Sequence, residues 1–256
     1  MQRPQAILLT QMIRILIPAY NEEKNVARCL KDISTILNQE KENFRLYVVN
    51  DGSIDKTPKI LEKLRNRLPL LIINHPKNRG VSEAFRTGFR KLSKISKDND
   101  FIILMEADKT SSPKLLEEII SKLKEGFDVV ISSRYIAGGG YKNFPLRRHV
   151  LSIAANTILK IFFPIPNVKD YTIFYRGYRA TTIKQLIKKY GKGFIKTKNY
   201  VANAEILIKI SSFTKKITEI PFVYNYGKKK NASAMKILSN TRAYLKFIGK
   251  SLLEKF

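Results

Sequence analysis

A mostly parallel sheet covered by helices, an α/β fold, is the class this sequence predicts, and three observations carry the prediction. Short apolar runs alternate with longer segments of helical periodicity from residue 13 to residue 132. The runs are uniformly apolar rather than alternating, as expected of strands buried on both faces in a parallel sheet. Each run stops at a polar loop, so acids and turn residues gather at the carboxyl ends of strands.

Residues 13–17 form the first strand, ended by Pro18, and Asn21-Glu22-Glu23 caps a helix running to about Leu37. Residues 44–50 form the second strand, followed by Asp51-Gly52-Ser53 and a helix over about 56–67. Residues 70–73 form the third, followed by a loop with Asn78-Arg79-Gly80 and a helix whose apolar stripe is Ala84, Phe85, Phe89 and Leu92. A fourth strand over 101–105, a helix carrying Leu115, Leu116, Ile119, Ile120 and Leu123, and a fifth strand over 127–132 complete the alternation. Right-handed crossovers are expected between them.

Beyond Arg134 the pattern changes. Gly138-Gly139-Gly140 reads as a flexible break, residues 141–148 as polar and basic, and residues 151–163 as an apolar helix ended by Pro164 and Pro166. Residues 170–178 follow with no element assigned, then helices over 181–190 and 200–210 and an extended stretch over 216–226. In the last segment, 233–256, Ile237, Leu238, Thr241, Tyr244, Leu245, Ile248 and Leu252 share one helical face, with Lys236, Arg242, Lys246 and Lys250 opposite. This is a basic amphipathic helix, suited either to pack on the core or to rest on a membrane surface.

With 256 residues, 44% of them hydrophobic, the chain can bury a full core. Its outlier is charge: 48 Lys and Arg against 21 Asp and Glu leave +27, which favours nucleic acid, lipid headgroups or nucleotide diphosphates as partners. Stacking aromatics and recognition-helix patterns are missing from the sequence, so no nucleic acid is expected. Cys29, the one cysteine, falls at an apolar helical position and reads as a small core residue, in keeping with a reducing compartment. Residues 1–12 lack a signal-peptide pattern, and no apolar run reaches the ~20 residues needed to cross a bilayer. A cytoplasmic protein with peripheral membrane contact is expected.

The chemistry concentrates at residues 100–113. Glu106 and Asp108 end the fourth strand one residue apart, and with Thr110 and Ser111 they offer hard oxygens to a Mg²⁺ or Mn²⁺ ion that also holds a diphosphate. The same residues equally suit a plain turn that caps a helix beginning at Pro113. Two further loops sit at carboxyl strand ends, Pro18-Ala19-Tyr20-Asn21-Glu22 and Asp51-Gly52-Ser53. That edge of an open α/β sheet is where ligands bind, and the three loops together supply a face for a base, carboxylates for base or ribose, and a metal site.

On these motifs the chain closely resembles glycosyltransferase family 2, the inverting nucleotide-sugar transferases, and within it the dolichol-phosphate mannose synthase-like, or polyprenol-phosphate glycosyltransferase, branch. The matching pieces are Ile17-Pro18-Ala19-Tyr20-Asn21-Glu22, Val49-Asn50-Asp51-Gly52-Ser53 with Asp55 and Thr57, Asn78-Arg79-Gly80 with Ala84, the acid pair before Pro113, Ser133-Arg134-Tyr135, and Asp170-Tyr171-Thr172 with Arg176 and Tyr178. The resemblance implies a GT-A type fold with a Rossmann-like sheet: a catalytic domain over 1–227, with a nucleotide-sugar half at 13–135 and an acceptor half at 136–227, and a basic helix over 228–256. It implies that Pro18, Tyr20, Glu22, Asp51, Gly80, Glu106 and Ala107 hold the nucleotide sugar, a GDP- or UDP-hexose, and that Asp108 with Glu106 binds the metal. The implied acceptor is a polyprenyl or dolichyl phosphate at the cytoplasmic membrane face, held by Arg134, Arg176, Lys228 and Ser233, with Asp170 orienting acceptor or sugar. Because that phosphate is already ionised at neutral pH, the site needs cations more than a base.

Departures from the family pattern bear on the acceptor. Glu106 stands where Asp is usual, Ile173-Phe174-Tyr175 where Ser-Gly-Phe is usual, and Lys228-Lys229-Lys230-Asn231-Ala232-Ser233 where an Arg-led motif is usual. Lysine keeps the charge but loses the bidentate fork. The alternatives are transfer to a glycan or glycolipid hydroxyl, which needs a carboxylate base such as Asp170, and a non-catalytic basic binding protein. His75 and His149 read as structural or surface residues.

Overall fold

The computed structural model describes residues 11–108, 110–228 and 237–254. Seven strands form one sheet in the order β3-β2-β1-β4-β7-β5-β8. The first half runs β1 (Ile13–Ala19), α1 (Val26–Gln39), β2 (Phe44–Asn50), α2 (Thr57–Arg65), β3 (Leu70–Asn74), α3 (Val81–Ile95), β4 (Phe101–Leu104), α4 (Leu115–Lys124) and β5 (Val129–Ser133). The second half adds β6 (Gly140–Lys142), α5 (Leu146–Phe162), β7 (Arg176–Arg179), α6 (Ala180–Tyr190), α7 (Ala202–Ser211), β8 (Ile217–Pro221), β9 (Val223–Asn225) and α8 (Ile237–Glu254). The fold class and the alternation match the sequence expectation. Both halves contribute strands to the same sheet.

Parallel pairing of β1 with β2 and β4, and of β2 with β3, follows from the uninterrupted apolar runs. The side chains of β1, β2 and β4 are buried on both faces, with Ile13, Ile15, Leu46, Val48, Ile103 and Leu104 fully enclosed between the helices, while the edge strand β3 is half-buried. Where β1 and β4 begin, Arg14 donates to Asp100 at 2.7 Å and to the Tyr47 hydroxyl at 2.6 Å, inside the protein. Asp100 thus belongs to the amino edge of the sheet, away from the acids that end the same strand.

Four features of the second half differ from expectation. Residues 176–179 form a strand, β7, inserted antiparallel between β4 and β5. Arg-Gly-Tyr-Arg carries no apolar run to announce it; the strand is fixed by packing, because a Cβ on Gly177 would lie 2.3 Å from Ile119 of α4. Helix α5 begins at Leu146 instead of 151: Pro145 stands at the cap position, its carbonyl accepting from the Arg148 and His149 N–H groups, and the arginines after it propagate a helix well. The glycine run is tied rather than flexible: Gly139 N–H donates to the Ile136 carbonyl and Gly140 N–H to the Phe222 carbonyl. Gly140 then opens β6, which pairs with β9 in a small separate sheet. That small sheet carries an aromatic cluster of Tyr141, Phe144, His149, Tyr224 and Tyr226. Helix α8 docks through Tyr244, Phe247 and Ile248, with the Phe247 ring tilted against Phe163 at 5.8 Å.

Candidate active site

The order β2-β1-β4 brings the three polar loops to one edge, and hydrogen bonds lock two of them together. Asn21, at φ 54°, donates its N–H to Ser53 Oγ and accepts from the Ile54 N–H through Oδ1. Glu22 N–H donates to Thr57 Oγ1, and Glu23 and Asp55 each accept a backbone N–H from the other's loop region. Glu22 Oε2 accepts from Asn25 Nδ2 at 2.8 Å, and the neighbouring Tyr20 is 39% exposed, an aromatic face open to a planar ligand. Pro18, two residues earlier, is half-buried.

Asp51 is buried and tightly held. Its Oδ1 accepts from the Arg79 N–H at 3.0 Å and its Oδ2 from the Gly80 N–H at 2.8 Å, and His75 Nδ1 lies 2.6 Å from Oδ1. Gly80, at φ +87°, is the cap residue of α3, and no atom comes within 4 Å of where its Cβ would be, leaving clear space there. Gly52 is required on two counts: φ +67°, and a Cβ that would strike the Lys77 carbonyl carbon at 2.2 Å.

At the end of β4, Glu106 and Asp108 converge on one hydroxyl. Thr110 Oγ1 lies 2.5 Å from Asp108 Oδ1 and 3.0 Å from Glu106 Oε2, and its single proton serves one of them at a time. Asp108 is buried, Glu106 half-buried, and Ala107 between them points into the core. Among the described residues no cluster of three His, Cys, Asp or Glu side chains is arranged to hold a metal. Two carboxylates around a hydroxyl fit a cation of the Mg²⁺ type, which takes one or two protein carboxylates and completes its shell with waters and substrate phosphates. Tyr224 of β9 approaches from the other side: burial pushes its phenol well above the usual range, and the Glu106 and Asp108 charges add to the effect.

The second cluster is built on Asp170 and Arg134. Burial alone would raise the Asp170 carboxyl and discharge the arginine, but each offsets that for the other, so Asp170 titrates below its ordinary value and Arg134 stays charged. The pair is bidentate, with Nε to Oδ2 and Nη2 to Oδ1 both at 2.7 Å. Asp170 also accepts from the Arg134, Thr172 and Ile173 N–H groups. It is fully enclosed and saturated, so it positions Arg134 and is not placed as a base. The Arg134 guanidinium covers the rings of Tyr135 and Tyr141, whose hydroxyls meet Ser152 Oγ at 2.9 and 3.1 Å.

Arg176 departs from the expectation. Its side chain is wholly buried and donates to the Asn203 carbonyl at 2.8 Å and the Tyr171 carbonyl at 2.7 Å, so it braces α7 against the Asp170 loop and has no face for a phosphate. The reason is β7, which carries it into the interior. Lys228 closes a 3-10 turn after β9, its side chain lying outside the described residues, as does Ser233. Sequence reasoning missed Tyr224, Tyr141 and Ser152, which are ordinary residues until the small sheet and α5 bring them beside the two clusters, and it gave Tyr135 no role beyond its motif. It also missed the contacts of His75; only its place after the third strand, near the Asn-Arg-Gly loop, hinted at them. His149 packs on Tyr141 at 4.5 Å.

Residues 14–187 match the family model described as glycosyl transferase family 2. Over 213 residues the chain is 28% identical to a Pyrococcus furiosus protein named dolichol-phosphate mannosyltransferase, a stretch covering 83% of this chain and 56% of that relative. It is 26% identical over 223 residues to the polyprenol monophosphomannose synthase of Mycolicibacterium smegmatis, covering 86% of this chain and 80% of that one. The chain thus spans little more than half the length of the first relative. Its fold is similar to that of glucosyl-3-phosphoglycerate synthase from Mycobacterium tuberculosis, solved in complex with Mn²⁺, UDP and glucosyl-3-phosphoglycerate. The TM-score is 0.64 at 18% identity, over 95% of this chain and 79% of that one.

Proposed function

Because the chain belongs to glycosyl transferase family 2, we propose that it transfers a hexose of the mannose or glucose class, with inversion, from a GDP- or UDP-sugar to a polyprenyl or dolichyl phosphate at the cytoplasmic face of a membrane. The observation that carries the reading is the convergence of Glu106 and Asp108 on the Thr110 hydroxyl, on the same sheet edge as Tyr20 and Asp51. Tyr20 and Pro18 form one wall for the base, Glu22 and Asp51 supply acceptors for base or ribose, and the open space at Gly80 lets the nucleotide pass close to the backbone. Glu106 and Asp108 would hold Mg²⁺ or Mn²⁺, whose charge favours departure of the nucleoside diphosphate.

On the acceptor side Asp170 fixes Arg134 so that Nη1 is left without a protein acceptor among the described residues, a donor suited to a phosphate oxygen. A phosphate oxygen held there attacks the anomeric carbon from the face opposite the diphosphate, and that single displacement inverts the centre. Lys228 and Ser233 are proposed as further phosphate contacts. Helix α5 supports a lipid acceptor: Arg147 and Arg148 open it, while Leu146, Val150, Leu151, Ile153, Ile161 and Phe162 are exposed along its length. No helix among the described residues is long and apolar enough to cross a membrane, so attachment is proposed through this face and the basic face of α8. Transfer to a hydroxyl would require a base, and the saturated Asp170 does not offer one.

The test is incubation of the protein with radiolabelled GDP- and UDP-hexoses, Mn²⁺ or Mg²⁺, and polyprenyl phosphate in vesicles. A charged lipid-linked sugar is expected. Failure with every donor and both polyprenyl and dolichyl acceptors would end the proposal.

A further inference from the structure

His75 holds Asp51 from within the protein: it is enclosed and committed at both ring nitrogens. Its backbone N–H continues the β2–β3 ladder by donating to the Asn50 carbonyl at 2.9 Å, which sets the ring beside Asp51. Nδ1 lies 2.6 Å from Asp51 Oδ1 and Nε2 lies 2.9 Å from Thr87 Oγ1 on α3. A carboxylate only accepts, so Nδ1 carries the proton, and the Nε2–Thr87 hydroxyl bond holds the far side of the ring.

With this bond, three donors converge on one carboxylate: His75 Nδ1–H and the Arg79 N–H on Oδ1, and the Gly80 N–H on Oδ2. A carboxylate has about four acceptor positions in all. Among the described residues nothing takes the last one, on Oδ2, which is left for a ligand. The two backbone donors belong to the loop that Asp51 itself organises. The His75 ring is different, because Thr87 anchors its far side to α3, which is fixed in the core by Ala84, Phe85, Phe89 and Leu92.

We propose that His75 is a positioning residue for the nucleoside end of the donor: anchored by Thr87, it sets the rotation of the Asp51 carboxylate so that the remaining Oδ2 position meets a single N–H or O–H of the base or ribose. The inference rests on the donor-site reading given above and extends it to a residue that touches no substrate.

The experiment is calorimetric binding of UDP, GDP and inorganic pyrophosphate, each with Mn²⁺, to the wild-type protein and to His75→Leu, His75→Asn and Thr87→Val. Asparagine places an amide N–H near the position of Nδ1–H. Wild type is expected to bind at least one nucleoside diphosphate. His75→Leu should weaken that binding by roughly tenfold, the equivalent of one hydrogen bond to a charged group, while leaving pyrophosphate binding within about twofold. Thr87→Val should act in the same direction by a smaller factor, and His75→Asn should recover most of the affinity. Equal losses for nucleotide and pyrophosphate would show a merely structural role and overturn the proposal, as would unchanged nucleotide binding in His75→Leu. If wild type binds neither UDP nor GDP, the donor-site reading itself has failed and this inference falls with it.

Discussion

Glu106 and Asp108 share a hydroxyl but not an environment. Asp108 is buried, with Thr110 donating both its N–H and its hydroxyl toward Oδ1, while Glu106 is half-exposed on a longer stem. The two should therefore weigh differently. Asp108→Asn is expected to weaken Mn²⁺-dependent nucleotide binding by about 2–3 kcal/mol and Glu106→Gln by about 1 kcal/mol, as measured by calorimetry; equal losses would argue against a graded pair. Asp170 gives a stability prediction instead. Removing its charge leaves Arg134 buried and unpaired, so Asp170→Asn should cost about 3–5 kcal/mol in denaturant unfolding near neutral pH. Since the folded state depresses the Asp170 carboxyl below its ordinary 3.8, this contribution is complete above pH 3.8. The gap between wild type and variant should close only as the pH falls below that value. The acids were legible in the sequence because an apolar run ends on them. The fates of Asp170 and Arg176 were not, since a charged residue's letter does not say whether it faces a phosphate or a backbone carbonyl.

At the scale of elements, periodicity located every strand of the first half to within two residues, because each is an apolar run bounded by turn residues. It missed β7, whose identity is set by neighbours: β4 and β5 on either side, and α4 lying on Gly177. Gly177→Ala would push Ile119 and Leu123 aside and should destabilise the protein by about 1–3 kcal/mol, read as a lower denaturant midpoint. Helix α5 calls for the opposite experiment. Ile161 is 69% exposed, so Ile161→Glu should change stability by less than about 0.5 kcal/mol. If the helix rests on lipid, the same change should sharply reduce sedimentation with vesicles; unchanged sedimentation would remove α5 from the membrane surface.

Across the whole molecule, the +27 balance is a long-range property that no single contact explains. Several acids that do occur are paired within the fold, as Asp100 is with Arg14 and Asp170 with Arg134, leaving many lysines outward. Binding to vesicles containing anionic lipid should accordingly fall steeply as salt is raised from 50 to 500 mM, while binding to neutral vesicles stays weak throughout, both followed by co-sedimentation. Net charge was plain from composition alone; which surface carries it toward a partner depends on tertiary placement that composition does not contain.

The antiparallel position of β7 has a consequence for how the polypeptide is made. Residues 129–133 emerge from a ribosome with no strand yet synthesised that they neighbour in the finished sheet, because β7 and β8 both come later. A gene cut after codon 135 would therefore encode an orphan strand and a bare flank on β4, and its product should collect in inclusion bodies rather than behave as an independent nucleotide-binding module.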